Sequence, residues 1–208
     1  MDGYWNHNTA YHPRILDLAH GRRQVLDVGA GDGLLLQRLS PLVGTATGIE
    51  PHPATLARAR SRLANATNVT LEAMDFLSFD PALRPFDLIT FVATIHHMDL
   101  EAALAKARDL LRPGGDLFIV GLAANRSPVD WAVSALTLPV VRFASLVHRE
   151  TRDVGVPVAR PSLGLREIRE TAERLLPGVE VRRGLYYRYL LRWTKPATEG
   201  GERGDSRF

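Results

Sequence analysis

The fold class this sequence predicts is α/β: a single doubly wound, mostly parallel, Rossmann-like sheet. An antiparallel C-terminal hairpin closes it, with a helical insertion before the hairpin. Three observations carry that expectation. Short apolar runs alternate with helical patterns between residues 23 and 122, and alternation of this kind builds a parallel sheet with helices on both faces. The first run ends in a glycine loop, VLDVGAGDG. Near Gly184 two strand-like runs follow each other with no helix between them, as antiparallel neighbours can.

The elements follow in order. RQVLDV (23–28) is a short apolar run ending at glycines, the signature of a buried strand. GLLLQRLS continues as a short helix. TATGIE (45–50) is a second strand, and Pro53 in a first helical turn opens PATLARARSRLAN. VTLEA (69–73) alternates as a third strand. FDLITFVA (86–93) is nearly all apolar, as expected of a strand covered on both faces. Asp99 caps LEAALAKARDLL, and Pro113-Gly114-Gly115 stops that helix and turns the chain into DLFIVGL (116–122). Ser127-Pro128 then opens a helical region broken near Pro139. Ser162 caps LGLREIRETAERLL, where Leu165, Ile168, Ala172 and Leu175 recur at helical spacing. VEVRRGLYYRYLLRWT supplies the closing hairpin.

Length and composition bound what such a domain can do. The 208 residues, 45% hydrophobic and 24% charged, suit one soluble domain with a sizeable core. We expect the domain to span 1–196, with 1–20 as an N-terminal cap, 123–160 as a helical lid and 197–208 as a disordered tail. There are no cysteines, which excludes disulfides, thiolate metal sites and cysteine nucleophiles, and fits a reducing compartment. A net charge of +3 is too small for the whole molecule to grip nucleic acid. The start carries no basic-then-apolar secretory pattern. Charged residues and Pro139 interrupt the apolar tract 128–148, so no transmembrane segment is expected. Together these features point to a cytoplasmic protein.

The loop after the first strand carries the chemistry. Gly29, Gly31 and Gly33 let the backbone turn sharply and approach a ligand closely. A dinucleotide fingerprint needs its third glycine three residues after the second, and Leu34 occupies that place. Asp27, two residues before the first glycine, suits a ligand with an amine and would repel a pyrophosphate. Glu50 ends the second strand about 20 residues past the glycines, where this fold receives ribose hydroxyls. After the third strand, Asp75 beside Phe76 could hold an adenine amine while the ring packs on its face.

Asp-x-Gly-x-Gly-x-Gly, Glu50, Asp75-Phe76, FDLITFVATIHHM and LLRPGGDLFIVGL together resemble a class I S-adenosylmethionine-dependent methyltransferase of the small-molecule type. The match covers about residues 20–122. The resemblance implies a seven-stranded sheet and cofactor contacts from Asp27, Gly29, Ala30, Gly31, Gly33, Glu50, Pro51, Asp75, Phe76 and Val92. It also implies an N-terminal segment that closes over cofactor and substrate.

Methyl transfer from a sulfonium mainly requires placing the nucleophile in line, about 3–3.5 Å from the methyl carbon. A base is needed only where the acceptor must lose a proton, and histidine suits that task. His96 and His97 follow the fourth strand, at the sheet end where α/β folds bind ligands; His7 and Tyr11 belong to an N-terminal aromatic cluster. These four are the catalytic candidates, and the expectation leans towards proximity, with a base as the minority view. Ala93-Thr94-Ile95-His96 stands where nucleic-acid amine methyltransferases carry an Asp/Asn-Pro-Pro-aromatic motif. A small organic acceptor follows, with no nucleic acid and no metal. Two other classes remain open on sequence: a nicotinamide-dependent oxidoreductase and a non-catalytic S-adenosylmethionine-binding protein.

Overall fold

The structure is a computed structural model that describes residues 4–80, 85–126, 161–184 and 188–197. Most of the expected 123–160 lid, the helix opening at Ser127-Pro128 and nearly all of the expected tail lie outside those residues.

Seven strands form one sheet: β1 (Gln24–Val28), β2 (Thr45–Ile49), β3 (Val69–Glu72), β4 (Phe86–Val92), β5 (Leu111–Leu122), β6 (Glu180–Arg183) and β7 (Arg188–Thr194). Their order is β3-β2-β1-β4-β5-β7-β6. β1 to β5 are parallel, while β7 runs antiparallel to both β5 and β6. Both the doubly wound sheet and its hairpin match expectation. The strand order reverses between β1 and β4, and that crevice is where such folds bind ligands.

The described helices are α1 (His12–Ala19), α2 (Leu34–Leu39), α3 (Pro53–Arg62), α4 (Leu100–Leu110) and α5 (Leu165–Leu175). Asp99 caps α4 by accepting from the Ala102 N–H at 2.7 Å, as anticipated. α5 differs. Its N-cap is Gly164 rather than Ser162, and the Gly164 N–H donates to Glu167 Oε2 at 2.7 Å. A glutamate three residues into the helix can reach back to the cap N–H, so the hydroxyl two residues upstream is not needed. β5 also starts earlier than expected. It runs through Pro113-Gly114-Gly115, with Gly114 at φ +74° and a register irregularity between Phe86 and Leu88 opposite.

Strand pleating sorts side chains into two cores. Leu26, Val28, Ile89, Phe91 and Ile119 pack with α4 and α5, while Val25, Leu88, Phe118 and Val120 pack with α1 and α2. Successive strand residues point to opposite faces, so the continuous apolar run of β4 fills both cores at once. At the amino-end edge, Asp87 accepts from the Arg23 and Gln24 N–H groups (2.6 and 2.7 Å) and pairs with Arg112. Asp116 pairs with Arg22 and accepts from the Thr194 hydroxyl at 2.6 Å. These buried carboxylates tie strands together, far along the sheet from the glycine loop.

Candidate active site

The glycine loop turns off β1 through three left-handed glycines: Gly29 at φ +73°, Gly31 at +58° and Gly33 at +79°. They serve different ends. A Cβ on Gly29 would stand 2.1 Å from Thr94 Cγ2, and one on Gly33 would stand 2.9 Å from Leu63 Cδ1. Both are packing constraints. A Cβ on Gly31 would meet nothing within 4 Å, so this glycine faces open space. The Gly29 and Ala30 N–H groups both donate to the Ile49 carbonyl, at 2.8 and 2.9 Å.

Two cavities flank the loop, and both are lined by Gly29 and Thr94. The first, about 140 Å³, is also walled by Glu50, Pro51, Asp75, Phe76, His97 and Met98. The second, about 110 Å³, is walled by Asp27, Ala30, Gly31, Asp32, Val92, His12 and the N-terminal residues Tyr4, Asn6, Asn8 and Thr9. Thr94 joins them structurally, its hydroxyl donating to the Val28 carbonyl at 2.8 Å. The neighbouring Ala93 holds φ +57°, uncommon for a residue with a side chain. That kink carries the chain from β4 into a 3-10 turn over Ile95–His97.

Glu50 is 6% exposed and already braces the loop: Oε2 accepts from the Gly31 N–H at 3.0 Å and Oε1 from the His52 N–H at 2.9 Å. Each carboxylate oxygen keeps a further acceptor position. Asp27 is 2% exposed and accepts from the Thr90 hydroxyl at 2.8 Å. Burial, and to a lesser degree the nearby Glu50 charge, push its carboxyl up to about 7 against a weaker pull from Thr90. Asp75 lines the first cavity while accepting from the Leu77 N–H at 2.8 Å, so it also caps a short turn. Phe76 is 1% exposed, edge-on to Phe91, with Lys106 Nζ 5.7 Å from its ring centre.

Of the residues singled out from sequence, Gly29, Glu50, Pro51, Asp75, Phe76 and His97 meet at the first cavity, and Asp27, Gly29, Ala30, Gly31 and Val92 at the second. The other four do not line these cavities. Gly33 caps α2, His96 lies tilted against His97 with ring centres 4.3 Å apart, His7 meets Trp5 edge-on at 5.8 Å, and Tyr11 is 7% exposed in the α1–α2 core. Sequence reasoning missed Asp32, Thr94 and Met98, and it left Tyr4 and His12 of the N-terminal cluster without a site role. Tyr4 donates to Asp32 Oδ1 at 3.2 Å, and Arg62 holds the other Asp32 oxygen at 2.7 Å. Asp32 sits between the second and third glycines, a position that could have been read as the loop's outer anchor.

The donor set fits one class of ligand. Two buried acids, an open glycine and an acid beside an aromatic ring suit an amino acid joined to a nucleoside, and supply no cationic cradle for a pyrophosphate. Comparison with known proteins agrees. Residues 25–115 match the methyltransferase domain family. A Mycobacterium tuberculosis protein named as an uncharacterized methyltransferase is 32% identical over 201 residues, covering 94% of this chain and all of that one. The Xanthomonas oryzae ubiquinone biosynthesis O-methyltransferase is 33% identical over 125 residues, covering 58% of this chain and 50% of that one. In fold, the chain is similar to the N-methyltransferase NodS of Bradyrhizobium japonicum, solved also with S-adenosyl-L-homocysteine; the free form has a TM-score of 0.62 at 19% identity, with 90% of this chain and 95% of that one covered. A putative methyltransferase from Bacillus halodurans gives 0.64 at 14% identity, covering 92% of this chain and all of that one.

Fold and site thus define a class I S-adenosylmethionine-dependent enzyme. The chain belongs to the methyltransferase family, which removes the nicotinamide oxidoreductase reading. Among the described residues no helix is long and apolar enough to cross a membrane.

Proposed function

We propose that the chain methylates a small organic acceptor, holding the cofactor across the carboxyl edge of β1 and β4. The observation that carries this reading is the pair of cavities sharing Gly29 and Thr94, each with its own buried acid. When bound, S-adenosylmethionine supplies a methyl group on a good leaving group. The protein's work is then to bind, orient and exclude water.

In this reading Asp27 receives the amine, Glu50 the ribose hydroxyls and Asp75 the adenine amine. Gly29, Ala30 and Gly31 allow close backbone approach, with Pro51, Phe76 and Val92 as apolar walls. Gly33 contributes through the turn, and Tyr11 through the packing of α1. Catalysis rests on an acceptor held in a near-attack arrangement, which can supply several kcal/mol of the barrier, up to about 7–11. His97 stands on the wall of the Glu50 cavity, where it shapes the mouth; His96 backs it, and His7 belongs to the N-terminal cover. The small-molecule acceptor is supported by relatives such as the ubiquinone-pathway O-methyltransferase and by structural neighbours including CalS10, an amino pentose methyltransferase.

Incubating the protein with methyl-labelled cofactor and a metabolite extract, then finding the label by mass spectrometry, tests the proposal. A labelled small metabolite is expected. Label appearing only on macromolecules would overturn the acceptor class, and no label on any species would overturn the reading as a whole.

A further inference from the structure

His12 opens α1 on the wall of the cavity that holds Asp27, with only 4% of its surface exposed. Its Nδ1 lies 3.0 Å from Nη1 of Arg38 on α2. A guanidinium has donors only and stays protonated in proteins. Nδ1 must therefore accept, and the proton of the neutral ring sits on Nε2. Burial first, and the Arg38 charge second, lower the ring's pKa to about 3. His12 is thus an uncharged donor held in one tautomer, and among the described residues nothing accepts from Nε2. His12 lines the cavity, so an N–H with no protein acceptor there can donate to an acceptor that arrives with a ligand.

The rest of the wall narrows what that acceptor is. The Tyr4 hydroxyl donates to Asp32, the Thr9 hydroxyl to the Asn6 carbonyl, and the Gly31 N–H to Glu50. Those three donors are committed. The imidazole and the side-chain amides of Asn6 and Asn8 are left as side-chain donors on this wall, and of these only the imidazole is backed by a cation. Asp27 gives the cavity an acid for an amine, and a zwitterion that places its amine there must also place a carboxylate within reach of a donor. Arg38 sits behind the imidazole, so its positive field reaches a carboxylate through the ring without a second cation entering the cavity.

We propose that His12 is a binding residue that donates from Nε2 to the carboxylate of the cofactor's amino-acid end, with Arg38 as the positioning residue that selects the tautomer. This rests on the cofactor reading above and adds a residue and an orientation to it.

Calorimetry of the full chain with two ligands tests the assignment: S-adenosylhomocysteine, and 5′-methylthioadenosine, which keeps the adenosyl thioether but lacks the amino-acid end. His12→Ala should weaken S-adenosylhomocysteine about 10- to 100-fold, the effect of losing a hydrogen bond to a charged group. Methylthioadenosine affinity should change less than about twofold. His12→Gln, which keeps a donor and guards against a folding defect in the alanine variant, should recover part of the loss. In wild-type protein with 15N-labelled histidine, the His12 Nε2 proton should be present and move downfield with S-adenosylhomocysteine, not with methylthioadenosine. Arg38→Leu should mix the tautomers and bring His12 towards ordinary titration, with Tyr4, Asp27 and Asp32 left as the other titratable groups on the cavity wall. Equal losses for both ligands in both His12 variants, or an Nδ1-protonated ring in wild type, would overturn the His12 assignment while leaving the cofactor reading intact. Wild-type protein that bound neither ligand would overturn the cofactor reading itself.

Discussion

The Glu50 cavity and the Asp27 cavity share Gly29 and Thr94 but lie on opposite faces of the sheet, and they are built by different means. The first continues the α4–α5 core: Val28, Ile49 and Phe76 belong to that core and also wall the cavity. Its two acids follow strand ends, Glu50 immediately after β2 and Asp75 shortly after β3. The second lies on the α1–α2 side, with Ala30 and Leu35 from that core, and a third of its wall is the N-terminal segment. One is a product of strand ends. The other exists only because a distant segment folds over the loop. Their electrostatics differ as well. Near pH 5–6 the second cavity holds a largely protonated Asp27 beside a neutral His12. Beyond the paired Asp32, its wall gains a negative charge when a ligand or higher pH removes the Asp27 proton.

Replacing glycines should break the two cavities in distinct ways. Gly29→Ala should destabilise the protein by roughly 3–5 kcal/mol, from the left-handed backbone and the clash with Thr94 together, and remove both cavities; thermal melting would show it. Gly31→Ala should cost the fold only about 1–2 kcal/mol of backbone strain. The bulkier Gly31→Val should abolish measurable cofactor binding in calorimetry while the protein still melts cooperatively.

Asp27 sharpens the electrostatic side. Its folded pKa of about 7 lies above the ordinary 3.8, so the folded state binds more protons than the unfolded state between those values. This group's contribution to stability is therefore full below about pH 4 and falls by about 4 kcal/mol as pH rises through 7. His12 has the opposite sign: its pKa is lowered from 6.5 to about 3, so its contribution is present above pH 6.5 and lost as pH falls towards 3. Asp27→Asn should flatten the loss between pH 4 and 7, seen as melting temperatures that converge with wild type at low pH and exceed it at pH 8. In wild type at pH 7, where Asp27 with its pKa of about 7 is half protonated, cofactor binding should release about half a proton, read as a buffer-dependent calorimetric enthalpy that Asp27→Asn removes.

Glu50→Ala should weaken both S-adenosylhomocysteine and methylthioadenosine by about 1.5–3 kcal/mol, because its ligand contacts lie on the nucleoside side. Unchanged affinity would remove the ribose assignment. His97→Asn should leave kcat within about tenfold of wild type and raise the acceptor KM if catalysis is proximity. A fall of about 10²–10⁴-fold, with loss of the acidic limb of the pH–rate profile, would assign it as a base instead. Tyr4→Phe removes a single 3.2 Å bond to Asp32 and should give the smallest effect, about 0.5–1.5 kcal/mol in cofactor affinity.

Much of the first cavity was legible in the chain itself. Glu50 and Pro51 come straight after β2 and Asp75 shortly after β3, and a strand end near the β1–β4 crevice faces the ligand whatever else packs around it. His97 was legible for the same reason, although sequence could not separate it from His96. The 3-10 turn over Ile95–His97 turns one ring to the cavity and the other beside it. Tyr11 and His7 were chosen for their residue type in an N-terminal cluster. Helix packing sends Tyr11 into the α1–α2 core, while the neighbouring His12 reaches the cavity wall.

Apolar spacing and turn chemistry are local properties, and from them the sequence alone determined the seven strands, their parallel and antiparallel parts, the glycine loop and the acids at strand ends. Tertiary structure decided the rest. The Thr90 hydroxyl reaches Asp27 across 63 residues, Tyr4 reaches Asp32 across 28, and Arg38 reaches His12 across 26. Which proton each of these groups carries depends on burial and on charges brought close by folding. No period or spacing encodes that, because the partners share neither strand nor helix: Thr90 meets Asp27 only when β4 pairs with β1, and the other two pairs form only when α1, α2 and the N-terminal segment close on the sheet.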